Sequence, residues 1–235
     1  MAASKKLSRD RVAQLTARDI APGSYINIGL GIPTLVPKYL DPRKEVVLHS
    51  ENGILGLEGL APGDEGDEDL INASKQRVQL ILGASIVDQS LSFAMMRGGH
   101  LDATILGAFQ VAMNGDIASW STGAEDDIPG IGGAMDLVAG ARRVIVVMEH
   151  VARDGAPKLM KSCSYPLTGL AVVTNIYTDM AIIDVDPARG FVVRGIAEGL
   201  SREELQAATD APLFFADEVV LLGHVDGGLP TVARV

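Results

Sequence analysis

Uninterrupted runs of valine and isoleucine are the feature that most restricts the fold of this chain. The clearest is RVIVVM (143–148), and three more follow it: LAVVTNI (170–176), AIIDV (181–185) and FVVRG (191–195). A strand that is apolar at every position is buried on both faces, as in parallel sheets covered by helices. The runs therefore predict strands of a largely parallel sheet.

Segments of helical character separate the apolar runs. They are residues 8–21, 33–40, 90–97, 136–140 and 201–209. Ser8 is placed to cap the first, and Ser201 with Glu204 forms a capping box on the last. Between them, residues 57–70 predict a solvated acidic loop. The pattern predicts an α/β fold: an open, mostly parallel sheet with helices on both faces. A length of 235 residues without a shift in composition indicates one domain.

Charge and cysteine content exclude several classes of function. A net charge of −10 disfavours nucleic acid and anionic membrane surfaces as partners. The sequence has no apolar run near the ~18 residues that span a bilayer, and its first twelve residues do not read as a signal peptide. The single cysteine, Cys163, forms no internal disulfide. We expect a cytoplasmic protein.

The turn LHSENGILG (48–56) is the most unusual local feature, because a carboxylate directly follows an apolar strand. The carboxyl ends of strands are where α/β proteins build their sites. Glu51 has four possible roles: metal ligand, general base, nucleophile or part of a solvated cap. Metal-ligand spacing is missing around it, so no metal site is expected. Taken alone, the turn favours the solvated cap.

Two glycine-rich loops, YINIGLGIP (25–33) and PGIGGAMD (129–136), have backbone N–H groups that can receive an anion. A tight turn is the alternative for each, and neither matches a P-loop or a clear dinucleotide fingerprint. Lysines at 75, 158 and 161 are candidates for a phosphate or thiolate, although lysines are usually exposed. Structural roles are favoured for His49, His100 and His150, and Cys163 has no evident catalytic partner.

Taken together, these stretches resemble the B (beta) subunit of the family I 3-oxoacid CoA-transferases. HSENGILG (49–56) matches the family's S-E-N-G signature. The further matching segments, in the family's order from about residue 8 to 212, are INIGLGIPTLVPKYL, DLINASKQ, SFAMMRGGHLDATILGAFQV, GIGGAMDLVAGARRVIVVMEHVARDGAPKLMKSC and PLTG with the strand after it. The resemblance implies a CoA-transferase-like fold over residues 1–212. Residues 213–235 are then expected to be a mobile C-terminal extension.

The resemblance also assigns roles to residues. Glu51 becomes the nucleophile that carries a glutamyl-CoA thioester, with Ile54 and Leu55 as an apolar flank that excludes water. Gly132 matches the glycine whose N–H stabilises the oxyanion. Asn27 and Lys75 match positions that contact CoA, which is a co-substrate, so no tightly bound cofactor is expected.

The implied reaction moves CoA from an acyl-CoA such as succinyl-CoA to a 3-oxo acid, either acetoacetate or 3-oxoadipate. Another pair, for example acetyl-CoA with a short-chain acid, remains open, as do a non-catalytic CoA-binding chain and a sugar-phosphate isomerase or deaminase of the same fold. The loop signature of the family's A (alpha) chain is missing, so the resemblance implies an A/B heterodimer or heterotetramer. One departure is the acidic segment 125–127, where the family commonly has basic residues.

Overall fold

The computed structural model describes residues 5–124, 130–223 and 231–232. The acidic segment 125–127 lies outside the described residues. The α-helices are α1 (Arg9–Arg18), α2 (Gln89–Arg97), α3 (Ala134–Gly140) and α4 (Arg202–Ala207), and two 3₁₀ helices span Ile32–Tyr39 and Pro42–Lys44. Within the described ranges, no α-helix is both long and apolar enough to cross a bilayer.

Strands make up most of the regular structure. They are β1 (Tyr25–Ile28), β2 (Val47–Ser50), β3 (Ile54–Gly59), β4 (Val78–Ile86), β5 (Ala103–Leu106), β6 (Gln110–Ala112), β7 (Ile117–Ala118), β8 (Val144–Met148), β9 (Leu159–Met160), β10 (Val173–Thr178), β11 (Ala181–Asp186), β12 (Gly190–Ala197), β13 (Leu213–Leu222) and β14 (Thr231–Val232).

One large sheet contains eleven of these strands in the order β14-β13-β12-β11-β10-β8-β5-β1-β2-β3-β4. Its centre, from β10 to β2, pairs in parallel throughout. The predicted parallel sheet is therefore confirmed there. β7, β6 and β9 form a separate small sheet.

The strands on both sides of the parallel centre are partly antiparallel, which the apolar runs do not reveal. β2–β3, β3–β4, β10–β11 and β11–β12 all pair antiparallel. Three residues separate β2 from β3, and two separate β10 from β11. Such short connections reverse the chain, whereas a parallel partner needs a crossover of a dozen residues or more. Connection length therefore sets the strand directions at these places.

Helices cover both faces of the sheet, as predicted. Alternate residues of β8 show this: Val144 and Val146 join a buried cluster with side chains of α2, α3 and α4, whereas Ile145 and Val147 join a second cluster with α1. All four β8 side chains are at most 1% exposed. The continuous apolar run in the sequence is explained by this burial on two faces.

Two of the predicted helices begin as expected. The Ser8 side chain accepts a hydrogen bond from the Arg11 N–H at the start of α1, and the capping box of Ser201 and Glu204 is formed at the start of α4. The helix predicted over 33–40 is instead the 3₁₀ helix Ile32–Tyr39. It contains Pro37, which lacks an N–H and clashes with the preceding turn of an α-helix.

The expectation of a mobile extension from residue 213 onward is wrong for its first ten residues. Residues 213–222 form β13, which pairs in parallel with β12. The side chains of Val219 and Leu222 are at most 2% exposed, so burial of this strand holds the segment in the sheet. The expected boundary at 212 therefore falls inside the domain, while 224–230 and 233–235 lie outside the described residues.

Candidate active site

A cleft of about 740 Å³ opens at the carboxyl ends of the central parallel strands. Its walls come from the segments that follow β1, β2, β5 and β8, from the beginning of α3, and from residues 72–74 and 76–78. This is the edge at which α/β sheets bind ligands. The cleft contains both glycine-rich loops and the turn that carries Glu51.

Hydrogen bonds on both sides of Glu51 hold its turn in place. The Ser50 hydroxyl accepts a bond of 2.9 Å from the Ala73 N–H, and the Asn52 amide donates one of 2.8 Å to the Ile71 carbonyl. The polar neighbours of Glu51 therefore fasten the turn to the segment at 71–73. These two side chains therefore do not form the cap of the following segment that the sequence alone favoured.

Gly53 closes the same turn in a conformation that favours glycine. Its φ is +113°, its N–H donates to the Ser50 carbonyl, and its own carbonyl accepts from the Val87 N–H. A Cβ added at this position would overlap the carbonyl oxygen of Val87. Glycine is required here for both the backbone angle and the close approach.

The Glu51 side chain turns toward the glycine loop before α3. A Cβ added to Gly132 would lie 3.4 Å from Oε1 of Glu51, and one added to Gly133 would overlap Oε2. Gly132 has φ +50°. Among the residues that the structure describes, neither a hydrogen bond nor an ion pair engages this carboxylate. The structure thus brings together Glu51 and Gly132, the two residues predicted to be catalytic.

The beginning of α3 and one aromatic ring complete the surroundings of Glu51. Gly133 is the N-cap of α3 and offers no side-chain cap, and the first N–H groups of a helix lack intrahelical acceptors. Cζ of Phe93, on α2, lies 3.2 Å from the position of a Gly133 Cβ. Backbone donors and an apolar ring beside a carboxylate suit a reaction that develops negative charge on oxygen.

Sequence reasoning included Gly133 only as part of an anion-receiving loop, and it missed Phe93. Gly133 is adjacent to the predicted Gly132, and only coordinates distinguish their distances to Glu51. Phe93 is one of several apolar residues in α2, and its site-facing position depends on how α2 packs on α3.

Asn27 lines the cleft, but its amide also holds a buried histidine. Nδ2 donates to the His49 carbonyl and lies 3.2 Å from Nδ1 of the ring. His49 Nε2 lies 2.9 Å from the Ser92 hydroxyl. Because an amide NH₂ only donates, Nδ1 accepts and Nε2 carries the proton to Ser92. Burial lowers the pKa of His49 to about 4, so the ring is neutral near pH 7. Its structural role, favoured by the sequence, is consistent with these contacts.

Lys75 lies beside the cleft and is not one of its lining residues, which include Ser74 and Gln76. It is exposed in a tight turn, with φ +61°, and its N–H donates to the Asn72 carbonyl. The Asn72 side chain orders the same turn by accepting from the N–H groups of Ser74 and Gln76. A contact between Lys75 and CoA stays a prediction.

The apolar flank expected at Ile54 and Leu55 does not face the cleft. Ile54 is 4% exposed and pairs with Ile86 in the β3–β4 ladder. The apolar lining comes from other segments, with Leu57, Leu106, Ala108, Phe109, Ile131, Leu137 and Met148 among its members. Most of these residues end or follow a strand, or lie in or just before α3. They are distant from Glu51 in the sequence, so the residues adjacent to Glu51 did not indicate them.

The environments of His150 and Cys163 indicate structural roles for these side chains. His150 is fully buried, its ring lies within hydrogen-bond distance of the Thr178 and Thr209 hydroxyls, and burial lowers its pKa to about 4. Burial raises the pKa of Cys163 to about 11, which keeps the thiol protonated at neutral pH. In the described part of the chain, no group of three or more His, Cys, Asp or Glu side chains is placed to hold a metal ion.

Comparison with known proteins agrees with this geometry. The family model described as "Coenzyme A transferase" matches residues 9–208. The B (beta) chain of the 3-oxoadipate CoA-transferase of Pseudomonas putida is 53% identical over 214 residues, which cover 91% of this chain and 99% of the relative. The human mitochondrial succinyl-CoA:3-ketoacid coenzyme A transferase 2 is 42% identical over 203 residues, which cover 86% of this chain and 39% of the human protein.

A solved structure shows the same fold. The crystal structure of an acyl-CoA transferase apoenzyme from Escherichia coli O157:H7 superposes with a TM-score of 0.74 at 18% identity, over 97% of this chain and 46% of the other. The likeness at this identity concerns the fold alone. The family match over residues 9–208 and the identity to the bacterial relative confirm the resemblance stated from the sequence: the chain belongs to the coenzyme A transferase family.

Proposed function

We propose that this chain is the beta subunit of a 3-oxoacid CoA-transferase that moves CoA from succinyl-CoA to a 3-oxo acid through a glutamyl-CoA thioester on Glu51. The observation that carries the proposal is the Glu51 carboxylate, which lies in the cleft against Gly132 and Gly133 without a partner among the described residues. The name of the Pseudomonas putida relative supports 3-oxoadipate as the acceptor, and the name of the human relative supports succinyl-CoA as the donor and a 3-keto acid, of which acetoacetate is one, as the acceptor.

The proposed chemistry exchanges one activated acyl bond for another. The Glu51 carboxylate attacks the thioester carbonyl, CoA thiolate leaves, and a mixed anhydride forms. The thiolate then attacks the glutamyl carbonyl and releases the first acid as a carboxylate, which leaves Glu51 as a CoA thioester. The carboxylate of the second acid attacks that thioester, which expels CoA thiolate and forms a second mixed anhydride. The thiolate then attacks the acyl carbonyl of the second acid, which gives the new acyl-CoA and releases the Glu51 carboxylate. A carboxylate is suited to this series of steps because each intermediate is an anhydride or a thioester. The free energy of the substrate's thioester bond is therefore kept for the next acyl transfer.

The surroundings of Glu51 have matching proposed roles. The Gly132 N–H donates to the oxygen that becomes negative in each tetrahedral intermediate. The positive end of the α3 dipole stabilises the same negative charge. Phe93 and the apolar lining keep water from hydrolysing the anhydride. Asn27 on the cleft wall and Lys75 beside the cleft are proposed CoA contacts. Coenzyme A is then a co-substrate.

A second chain is part of the proposal. The Pseudomonas putida relative is named as one of the subunits of its enzyme, which supports a separate alpha (A) chain that completes the site in a heterodimer or heterotetramer. The single cysteine supports a cytoplasmic location.

The test uses the complex co-expressed with its alpha chain. The complex is incubated with succinyl-CoA alone, and the Glu51 peptide is examined by mass spectrometry for a CoA adduct. Glu51→Ala and Glu51→Gln should bind CoA and transfer nothing. Glu45→Gln is the matched control, because Glu45 is exposed just before the opposite end of the same strand, and it should keep full activity. An unmodified Glu51 peptide during turnover, or an active Glu51→Ala, would refute the covalent mechanism.

The alternatives are separated by a panel of acids and acyl-CoA donors on the same complex. Activity with acetyl-CoA and a short-chain acid, without activity on succinyl-CoA, would replace the proposed substrates. CoA binding without transfer by any donor would identify a non-catalytic chain.

A further inference from the structure

Among the basic residues that line the cleft, Lys158 differs from the others in its contacts with the described residues. The charged residues of the lining are Arg9, Glu51, Arg77, Glu149 and Lys158. Arg9 pairs with Glu149 at 2.5 Å, and Arg77 donates to a backbone carbonyl of the acidic loop at 2.9 Å. Across the described residues, the Lys158 ammonium has no ion pair or hydrogen bond.

The backbone around Lys158 is fixed, so the side chain projects from a rigid position. Its N–H donates to the His150 carbonyl at 3.3 Å, and its carbonyl accepts from the Val111 N–H at 2.9 Å. The side chain is half-buried. Burial lowers the pKa of the ammonium, and the carboxylates of Glu149 and Asp179 oppose that effect. A half-buried cation without a partner is costly, and an anionic ligand would offset the cost.

Sheet order places Lys158 and Glu51 on opposite sides of the cleft. Glu51 follows β2, and Lys158 is bonded to the segment that follows β8, with β1 and β5 between these strands. Three strand spacings of about 4.8 Å separate the two backbones by roughly 14 Å, a gap into which both side chains extend. The segment that carries Lys75, the proposed CoA contact, lies on the other side of Glu51, next to β3 and β4.

An acyl-CoA with its thioester at Glu51 extends in two directions from that point. If CoA contacts Lys75, as proposed above, the acyl chain runs from Glu51 toward Lys158. Succinate and 3-oxoadipate each have a second carboxylate that takes no part in the transfer. We infer that Lys158 binds this second carboxylate and so selects dicarboxylic acyl groups, an inference that rests on the proposed function.

The experiment compares two acyl-CoA donors in the complex with the alpha chain. Formation of the CoA adduct is measured against concentration for succinyl-CoA, which has the second carboxylate, and for acetoacetyl-CoA, which lacks it. Lys158→Gln should raise the half-saturating concentration of succinyl-CoA at least about tenfold, the lower end for a charge-assisted bond. The value for acetoacetyl-CoA should stay the same, and Lys158→Arg should recover part of the loss.

Lys161→Gln is the matched control, because Lys161 is exposed three residues away and does not line the cleft. If Lys158→Gln raised the half-saturating concentrations of both donors equally, Lys158 would contact CoA or the partner chain. If it raised neither concentration, Lys158 would contact neither acyl group. Both results overturn the inference. Binding of free succinate and of acetoacetate, measured by calorimetry, gives the same comparison without chemistry. If the wild-type complex forms no adduct, the covalent mechanism fails, while weaker binding of succinate alone in Lys158→Gln still supports the subsite.

Discussion

Gly133→Ala should separate activity from stability in this protein. Gly133 has φ −86° and ψ 9°, angles that alanine adopts without strain, so the lost freedom of the unfolded chain should raise stability by about 0.4–1 kcal/mol. The added methyl group would overlap Glu51 Oε2 and lie 3.2 Å from Cζ of Phe93. Oε2 ends a flexible side chain and the ring needs to shift by only a few tenths of an ångström, so the carboxylate moves and the fold does not.

The expected loss of activity follows from the displacement. Moving a reacting group by about 1 Å costs on the order of a hundredfold in rate, or about 2.7 kcal/mol of transition-state stabilisation. The assay is kcat/KM of the two-chain complex with succinyl-CoA and acetoacetate, together with the yield of the Glu51 adduct. Thermal unfolding of the same preparation measures stability.

Two neighbouring glycines provide matched controls. A Cβ at Gly130 meets no atom within 4 Å, so Gly130→Ala should stay within about twofold of wild type, the effect typical of a surface change. Gly132→Ala should lose about 1–2 kcal/mol of stability, because its φ of +50° is left-handed. If Gly133→Ala kept the activity of Gly130→Ala, the proposed contact between the loop and the Glu51 carboxylate would be wrong.

Three further changes test the supports of the site. Gly53→Ala should lose about 2 kcal/mol or more of unfolding free energy in urea, because φ is +113°; an unchanged midpoint would contradict the need for glycine. Ser92→Ala leaves the buried His49 Nε2–H without its acceptor and should cost about 1–3 kcal/mol, whereas Ser90→Ala, exposed on the same helix, should change the midpoint little. For His150, burial lowers the pKa from 6.5 to about 4, so the unfolded chain binds the extra proton between these values. The unfolding free energy should fall by up to roughly 3 kcal/mol as pH drops from about 6.5 to about 4. The His150→Gln variant should lack this part of the decrease, and equal pH slopes of wild type and variant would contradict the role of His150.

The parallel centre of the sheet could be predicted from the sequence, because burial on two faces leaves a direct mark. After its first residue, RVIVVM has no polar position, and β8 has a helix-covered cluster on each side. The outer strands left no such mark. LFFADEVVLL (213–222) contains Ala216, Asp217 and Glu218 in its middle, so its pattern does not predict a strand, although it pairs with β12 over both ends.

From the sequence, a site residue could be predicted only where its type and position indicated a particular chemical role. Glu51 stood out as a carboxylate at a strand end, but its local pattern favoured a solvated cap; the match to a whole family changed that interpretation. Lys158 could not be separated from Lys75 and Lys161 by sequence, because each is a lysine in a polar loop. The difference lies in which side chain faces the cleft, and that depends on contacts between β6, β8 and β9 that are distant in sequence.

The fastening of the S-E-N-G turn has a genetic consequence. Ser50, Asn52 and Gly53 hold the backbone, whereas the Glu51 carboxylate bonds to none of the described residues. Loss of Glu51 should therefore leave a folded chain that still occupies its proposed partner, and such an allele should be dominant over wild type when the partner is limiting. Loss of Gly53 should lower the amount of folded chain available for assembly, and that allele should be recessive.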